Sequence, residues 1–572
     1  MKRNLLFKRT LAVCIASALI LTAASSASAA TNGKPKVKAV NAYQPTVTYQ
    51  DYLDGKVEMD ENSGSKIAPY AVSGGSVQPS GALPSSYATN TTPIRDQGAY
   101  NTCWSFSAIG AFESFLSVDG KGLQDLSEQH LAWWSTKQYN SDGYGWLNDG
   151  IDTGGYSMVG AGYLMSWQGA KLESDVPYYT SGNSMPGNMN TAANAYNALS
   201  LLYVENDIQS VKSAIYNYGA VATSYNSGDG YNDDYSAYYQ ADDTMYFSGH
   251  AITIVGWDDN YSRNNFSSSS RPDKDGAWLV KNSWGDYVGD NGYLWISYYD
   301  RYILDTETWG ANIVFTGART AREYDKLYQN EEAGSTYLVY MTDEDGYICT
   351  EATYMNVFDF DSTHDKLQSV IFECTNPGSR YIVYYVPMSS DGVTPTTDRS
   401  KWIKLNTGSI DTSGYINVDT GNFSLPSGKA AIAVTIDSSD AYADGTATIG
   451  VAEWLTDYND DYLFIQDQKR NESFVCVDNE IYDLVDLYSD SGDDLGGTLV
   501  IKAVTTSQII GDVNSDGRVT AIDAFTIQKI SAGSYEADSS QRINSDVNFD
   551  GRTTGMDSFF VQKKAAGMIS DF

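Results

Sequence analysis

The sequence predicts a multidomain protein: an α+β domain, then an all-β sandwich, then a small α-helical domain with two loop–helix repeats. Three observations predict this order. A helix led by a cysteine and two short buried strands lie in the first half of the chain. β-branched and aromatic runs between turns follow, and two acidic loops each precede an apolar helix near the end. The 572 residues, 42% of them hydrophobic, suffice for two large domains and one small one.

The first helix is predicted to begin at Cys103. Thr102 stands where a side chain would cap the first turn. Because the start of a helix favours an anion, we expect a lowered pKa for the Cys103 thiol. The apolar residues behind it recur at the spacing of one buried helix face: Phe106, Ile109, Phe112 and Leu116.

A cysteine nucleophile needs a base, and the chain has three histidines. His130 follows a predicted helix start and is interpreted as a packing or surface residue, and His364 lies far downstream. His250 opens an apolar, β-branched run that predicts a buried strand. A second predicted strand ends at Asn282, whose side chain could fix the orientation of the imidazole.

Together these segments, over about residues 82 to 312, resemble the papain-like cysteine peptidases. The resemblance implies Cys103 as nucleophile, His250 as general base and acid, and Asn282 as the orienting amide. It also implies that Gln97 helps to form the oxyanion hole and that Trp284 shields the histidine–asparagine hydrogen bond. The substrate-binding residues that it implies are Gly154, Gly155, Tyr156 and Trp284.

The chain departs from this family just before the nucleophile. The family usually has Cys-Gly-Ser there, whereas this chain has Tyr100, Asn101 and Thr102. Tyr100 removes a disulfide partner, and no other cysteine lies between Cys103 and Cys349. Asn101 replaces a glycine that normally lines the entrance to the S1 region. An alternative therefore stays open, in which Cys103 is acylated but the acyl group is hydrolysed slowly.

The end of the chain carries two twelve-residue acidic loops with glycine at position 6, the pattern of EF-hand calcium loops. Aspartate takes the place of the usual glutamate at position 12 of both loops. Two loops in register predict two bound Ca²⁺ ions. The predicted ligands are Asp512, Asn514, Asp516, Arg518, Thr520, Asp523, Asp546, Asn548, Asp550, Arg552, Thr554 and Asp557, the arginines through their carbonyls.

This tandem pattern makes residues 506–572 resemble a dockerin, which implies binding to a cohesin module of a scaffolding protein. In that family, positions 10 and 11 of each loop form the recognition pair. Since the two pairs differ here, we expect the two repeats to bind one cohesin unequally, and by packing more than by hydroxyl hydrogen bonds. The implied partner-binding residues are Ala521, Ile522, Lys529, Gly555, Met556 and Lys563.

Residues 319–505 read as an all-β sandwich and look like the lectin-like domain of some secreted bacterial papain relatives. Carbohydrate is a candidate ligand of this domain. The many tyrosines of the domain could equally build the sheet and the contact with the peptidase domain. The domain has an odd number of cysteines, and we expect them to be mostly buried thiols: Cys349, Cys374 and Cys476.

Residues 1–29 read as a signal peptide, and residues 30–81 as a propeptide or linker before a peptidase domain at 82–318. We expect no direct membrane insertion, because no later apolar stretch is long enough. The formal charge of -35 disfavours nucleic acid and anionic lipid as partners and suits an extracellular protein.

The sequence thus predicts a secreted cysteine endopeptidase that acts on protein or peptide without a catalytic cofactor. A calcium-dependent dockerin would attach it to a scaffold, which could itself lie on a cell surface. Two alternatives stay open. One is a catalytically idle papain fold that recruits glycan or protein to the complex, and the other is a slow thiol acyl-transferase.

Overall fold

The computed structural model describes residues 35–41, 83–182, 184–242, 249–343, 347–439, 447–453, 455–456, 462–466, 469–491, 497–514, 516–569 and 572. The predicted signal peptide and most of the predicted propeptide or linker lie outside these residues. The first described strand is β1 (Lys36–Asn41), and short 3₁₀ helices span Asp233–Tyr235, Arg263–Asn265 and Arg399–Lys401.

The α+β prediction for the N-terminal domain is confirmed. Its helices are α1 (Cys103–Val118), α2 (Glu128–Trp134), α3 (Ser157–Met165), α4 (Ile208–Tyr218) and α5 (Thr306–Trp309). Its strands are β2 (Ser86–Ala88), β3 (Gly145–Trp146), β4 (Tyr196–Tyr203), β5 (Val221–Asn226), β6 (Tyr231–Asn232), β7 (Ala237–Tyr238), β8 (Gly249–Asp258), β9 (Ala277–Lys281), β10 (Tyr293–Ser297) and β11 (Ile313–Thr320).

The β-domain is all-β, as predicted, apart from helix α6 (Leu484–Ser491). Its strands are β12 (Asp325–Tyr328), β13 (Tyr337–Thr342), β14 (Glu351–Phe360), β15 (Lys366–Cys374), β16 (Arg380–Pro387), β17 (Ile403–Ser409), β18 (Gly414–Ser424), β19 (Gly428–Asp437), β20 (Ile449–Glu453), β21 (Leu455–Thr456), β22 (Tyr462–Ile465), β23 (Ser473–Val477), β24 (Glu480–Asp483), β25 (Gly497–Leu499) and β26 (Ile501–Thr506). Its cysteines are free thiols, of which Cys374 and Cys476 are buried.

The C-terminal domain contains helices α7 (Ala521–Ser531), α8 (Ser539–Ser545) and α9 (Gly555–Ala565). Helices α7 and α9 pack on each other, and the Ser558 hydroxyl donates to the Ala524 carbonyl at 2.8 Å. The small core between them includes Val513, Ile527 and Val561.

Helix α1 forms the centre of the N-terminal domain, and all four predicted core residues on it are buried. Thr102 occupies the N-cap position, but its side chain does not cap the helix. Its hydroxyl lies instead 2.6 Å from the Tyr178 hydroxyl. The predicted cap is therefore correct in position and wrong in its hydrogen bond, because a tertiary partner takes the hydroxyl.

One large sheet crosses the predicted boundary between the first two domains. Its strand order among the described residues is β12-β26-β15-β18-β4-β11-β5-β8-β9-β10-β7-β6, with β2 beside β8. The crossing point is β18 against β4, where Gly414 pairs with Leu202 and Tyr415 with Leu201. A Cβ on Gly414 would lie 2.2 Å from the Leu201 carbonyl oxygen. Only glycine therefore allows this close approach.

Two further sheets complete the sandwich. A six-stranded sheet has the order β17-β16-β19-β14-β23-β24, and a four-stranded sheet has the order β1-β13-β20-β25. Strand β1 belongs to the segment predicted as propeptide or linker, and it pairs antiparallel with β13 over its whole length. A small sheet, β21-β22-β3, adds a second contact between the domains.

Candidate active site

The predicted nucleophile lies where helix α1 meets strand β8. The Ser107 hydroxyl on α1 donates to the Ile252 carbonyl on β8 at 2.6 Å, and the Thr253 hydroxyl donates to the Ser107 carbonyl at 3.3 Å. These bonds fix the helix against the strand that carries His250. They therefore set the position of Cys103, the first residue of α1, relative to that histidine.

Burial raises the pKa of the Cys103 thiol, although hydrogen bonds with backbone groups of Ala251, Trp104 and Cys103 itself lower it. The expected lowered pKa is therefore wrong for the site at rest. Desolvation disfavours the thiolate more strongly than the start of the helix favours it.

His250 is the second residue of β8 and is buried. Its Nε2 lies 2.7 Å from Asn282 Oδ1, and the indole of Trp284 stacks on its ring at 4.3 Å between centroids. Burial lowers the pKa of His250 to about 4, and the Asn282 bond opposes this. A neutral ring that donates from Nε2 leaves Nδ1 as a proton acceptor.

Asn282 directly follows β9, and its Oδ1 also accepts the Ser283 backbone N–H at 2.8 Å. Ser283 was not predicted from the sequence, yet its hydroxyl donates to Gln97 Oε1 at 2.6 Å. The Gln97 backbone N–H donates to the Ser283 carbonyl at 2.8 Å. The short segment after β9 therefore contains Asn282, the predicted orienting residue. Through Ser283 it also binds Gln97, the predicted oxyanion-hole residue.

The Gln97 side chain is buried, and its Nε2 donates to the Tyr100 carbonyl at 2.7 Å. An amide nitrogen carries two hydrogens, so one N–H remains for a substrate oxygen. Three of the four predicted substrate residues directly precede α3, whereas Trp284 stacks on His250. Gly155 lies against the Trp104 indole, where a Cβ would come within 2.5 Å, and Tyr156 is the N-cap of α3.

The other two histidines have structural partners. His130 is buried, with Nε2 2.9 Å from the Met189 carbonyl and Nδ1 2.8 Å from the Tyr163 hydroxyl. The Nδ1 of His364 lies 3.1 Å from Asp361 Oδ2. These contacts leave His250 as the candidate base among the three histidines.

The predicted calcium loops have matching hydrogen bonds. In the first loop, Asp512 Oδ2 accepts from Gly517 N at 2.7 Å, and Asp523 Oδ1 accepts from Val513 N at 2.9 Å. In the second, Asp546 accepts from Gly551 N at 2.9 Å. Burial raises the pKa of Asp512, and the neighbouring Asp523 and Asp516 carboxylates add to this effect.

No three His, Cys, Asp or Glu side chains form a ready metal cluster in the described part of the chain. The loop carboxylates bond to their own backbone N–H groups, and several predicted ligands are amide, hydroxyl or carbonyl oxygens. This all-oxygen donor set still fits a hard divalent cation such as Ca²⁺. The glycines at position 6, Gly517 and Gly551, have φ of 85° and 78°, as the sharp turn requires.

The predicted partner-binding residues lie at the starts and along the exposed faces of α7 and α9. The side chains of Ile522 and Met556 are 63% and 53% exposed. Lys529 Nζ lies 4.4 Å from the Phe525 ring centroid, and Lys563 Nζ lies 4.8 Å from that of Phe559. Both phenylalanines are exposed and were missed, although their spacing from the recognition pairs puts them on the same helix faces.

Comparison with known structures identifies the first two domains. The clostridial cysteine protease Cwp84 after propeptide cleavage is 35% identical, with a TM-score of 0.64, over 74% of this chain and 100% of that chain. This chain belongs to the papain family of cysteine proteases. The family description "Papain family cysteine protease" matches residues 84–308.

A second structure covers the cysteine protease and lectin-like domains of Cwp84, a surface layer associated protein of Clostridium difficile. It is 33% identical over 82% of this chain and 98% of that chain, with a TM-score of 0.67. The lectin-like description matches residues 327–505 of this papain-family chain, and the dockerin type I description matches residues 510–564.

Two curated relatives each match 36% of this chain. "Digestive cysteine proteinase 3" of Homarus americanus is 30% identical over 36% of this chain and 58% of its own length. Cathepsin S of Bos taurus is 27% identical over 36% of this chain and 55% of its own length. The chain therefore spans just over half the length of these two relatives.

Proposed function

We propose that this protein is a cysteine endopeptidase that hydrolyses peptide bonds through a thioester on Cys103. The observation that carries this proposal is the 2.7 Å contact between His250 Nε2 and Asn282 Oδ1 under the Trp284 indole. It holds the ring in the tautomer whose Nδ1 accepts a proton. Endopeptidase action is preferred because no sequence feature obviously blocks one end of the cleft.

In the first half of the reaction, the Cys103 proton passes to His250 as Sγ attacks the substrate carbonyl carbon. The oxyanion accepts hydrogen bonds from the Cys103 N–H and the Gln97 amide. His250 then gives its proton to the departing amine nitrogen as the C–N bond breaks. A thioester remains on Cys103.

In the second half, His250 takes a proton from water, and the resulting hydroxide adds to the thioester carbonyl. The C–S bond breaks, the acid product leaves, and the proton returns to the Cys103 and His250 pair. Asn282 keeps the ring in plane through both halves. The chemistry needs no metal ion or cofactor, because each proton and each new bond belongs to these residues, the substrate and water.

We also propose that the protein is secreted and that its dockerin binds a cohesin module in a calcium-dependent manner. Each bound Ca²⁺ would supply a positive centre that draws the loop oxygens together. Within the chain, Asp523 and Asp557 would serve both as ligands and as capping residues of α7 and α9, since each completes a capping box with a threonine. Carbohydrate binding by the lectin-like domain stays a proposal without a defined site.

The first test is hydrolysis of a mixed fluorogenic peptide library by the protein lacking residues 1–29, with reductant and calcium. Turnover that disappears in Cys103→Ala supports the peptidase. Alkylation of Cys103 by an epoxide inhibitor without peptide turnover would support a slow acyl-transferase instead. No turnover and no labelling would support the catalytically idle papain fold.

The second test is titration of a panel of type I cohesin modules into the full secreted chain, with calcium and then with EDTA. We expect calcium-dependent binding that weakens when Ile522→Asp is combined with Met556→Asp. Leu123→Asp is the control, because Leu123 is 51% exposed on the papain-like domain, far from the dockerin in sequence. Binding that persists in EDTA would contradict the proposal.

A further inference from the structure

Two hydrogen bonds join the loop before the nucleophile to the loop that carries the predicted substrate residues. Asp152 Oδ1 accepts the Asn101 backbone N–H at 2.8 Å, and the Asn101 side-chain amide donates to the Asp152 carbonyl at 3.1 Å. Asn101 precedes Cys103 by two residues, and Asp152 precedes Gly154 by two. The pair therefore links the two loops within two residues of Cys103 and of Gly154.

Residues 148–156, here called the substrate loop, have other anchors away from the nucleophile: Asn148 bonds to Ser135, and Ile151 is buried in a small apolar cluster. A turn closes at its tip, where the Thr153 hydroxyl donates to the Gly150 carbonyl at 2.9 Å. At its far end Gly155 packs on Trp104, and Asn148 Nδ2 donates to the Gly154 carbonyl at 3.3 Å. Asp152 is the residue of this loop that bonds to the chain segment leading to Cys103.

We propose that Asp152 is a positioning residue that holds the substrate loop in register with Cys103 through Asn101. Tyr100 stands where the papain family has a cysteine, and the described cysteines of this chain are free thiols. The two hydrogen bonds between Asn101 and Asp152 thus restrain the two loops relative to each other, as a covalent link between them could. Asparagine at position 101, in place of the family's glycine, supplies the side-chain amide that donates to the Asp152 carbonyl. Glycine has no side chain to make this bond.

The inference rests on the proposed peptidase function and predicts a particular kinetic pattern. The hydrogen bonds of Asp152 given above go to Asn101 and not to Cys103, His250 or Gln97, so its loss should weaken substrate binding more than chemistry. We expect Asp152→Ala to raise KM about three- to tenfold, the range for loss of the one hydrogen bond to Oδ1, with kcat unchanged within about twofold.

The test compares Asp152→Ala, Asp152→Asn and Asp149→Ala with the wild-type full chain on one fluorogenic peptide. Asp152→Asn keeps an oxygen acceptor at Oδ1 and should restore the wild-type KM. Asp149 is the matched control, because its carboxylate pairs with Lys137 at 2.8 Å and both side chains are more than half exposed. Such a surface pair contributes little.

Hydrogen–deuterium exchange supplies a readout that needs no turnover. Asp152→Ala should speed exchange of the Asn101 amide and of residues 148–156, while Asp152→Asn and Asp149→Ala should not. Absent wild-type turnover would count against the peptidase proposal alone, and exchange would still test the restraint. Unchanged exchange in Asp152→Ala, a fall in kcat at constant KM, or an Asp152→Asn variant as weak as Asp152→Ala would each overturn the inference.

Discussion

The Tyr203 hydroxyl on β4 of the papain-like domain donates a hydrogen bond of 2.5 Å to Glu373 Oε1 on β15 of the lectin-like domain. Both side chains are buried. Near them Lys502 forms an ion pair with Glu331 and donates to Ser166 Oγ at 2.9 Å. The two domains are therefore joined by a buried polar network as well as by a shared sheet, and we expect them to unfold together.

The first prediction concerns the pH dependence of this junction. Burial raises the pKa of Glu373 to about 7, from an ordinary value near 4.5. The folded protein keeps this proton up to about pH 7, whereas the unfolded chain releases it near pH 4.5. The contribution of Glu373 to the free energy of unfolding is therefore fully present below pH 4.5. It is lost as the pH rises through 7.

The glutamine side chain in Glu373→Gln cannot ionise, so this variant should not lose stability as the pH rises. Relative to the wild type, it should gain stability between pH 4.5 and 8, by at most about 3 kcal/mol. Thermal unfolding of both proteins across that pH range measures the difference. Glu351→Gln, an exposed change on β14, is the control. Parallel pH profiles for wild type and Glu373→Gln would contradict the prediction.

The second prediction concerns Asn282. Burial lowers the pKa of His250, and the Asn282 bond partly restores it, so Asn282→Ala removes both ring orientation and that support. We expect kcat to fall about 10- to 100-fold with little change in KM, less than full loss of general acid–base catalysis. Steady-state kinetics decides this, with the exposed Asn260→Ala as control. An unchanged kcat would show that Asn282 does not orient the base.

The third prediction concerns the close contact between Gly155 and Trp104. A Cβ at Gly155 would lie 2.5 Å from Trp104 Cε2, and Trp104 is buried. We expect Gly155→Ala to lower stability by about 1–3 kcal/mol, as overpacking does, and to shift the substrate loop. Gly150→Ala, where a Cβ meets nothing within 4 Å, is the matched control. Equal melting temperatures for the two variants would refute this.

The fourth prediction concerns calcium removal. Without the ion, the carboxylates of each dockerin loop repel one another, so EDTA should melt the dockerin helices at a lower temperature and leave the papain-like and lectin-like domains unaffected. Asp523→Ala should imitate EDTA in the first repeat. Asp538→Ala removes the capping box of α8 but no predicted ligand, and it should keep the calcium response. Calorimetry that shows one calcium-independent transition would contradict this.

The sequence predicted the elements around the nucleophile because their signals are local. The apolar spacing behind Cys103 matches α1, and the apolar runs at His250 and before Asn282 match β8 and β9. The resemblance to papain-like peptidases then supplied the expectation that these distant segments meet. Gln97 and Asn282 could be matched in the same way, since each lies within a short motif.

Features that depend on distant partners could not be predicted in this way. The raised pKa of Cys103 follows from its burial in the folded chain, and the Thr102 hydroxyl contacts Tyr178 instead of capping the helix. The continuous sheet depends on Gly414 lying against Leu201, which no local pattern reveals. Ser283 and Asp152 likewise matter only through partners far away in the sequence.

Strand β1 has a practical consequence for any preparation that begins near residue 82, after the segment predicted as propeptide or linker. It lies at the rim of its sheet and occupies the hydrogen-bonding edge of β13. After backbone scission near residue 82, β1 would stay attached by strand pairing and by the buried Val37 side chain, and the cleaved material would be a nicked protein of two polypeptides. A recombinant form that lacks residues 36–41 would leave β13 bare, an open template for self-association.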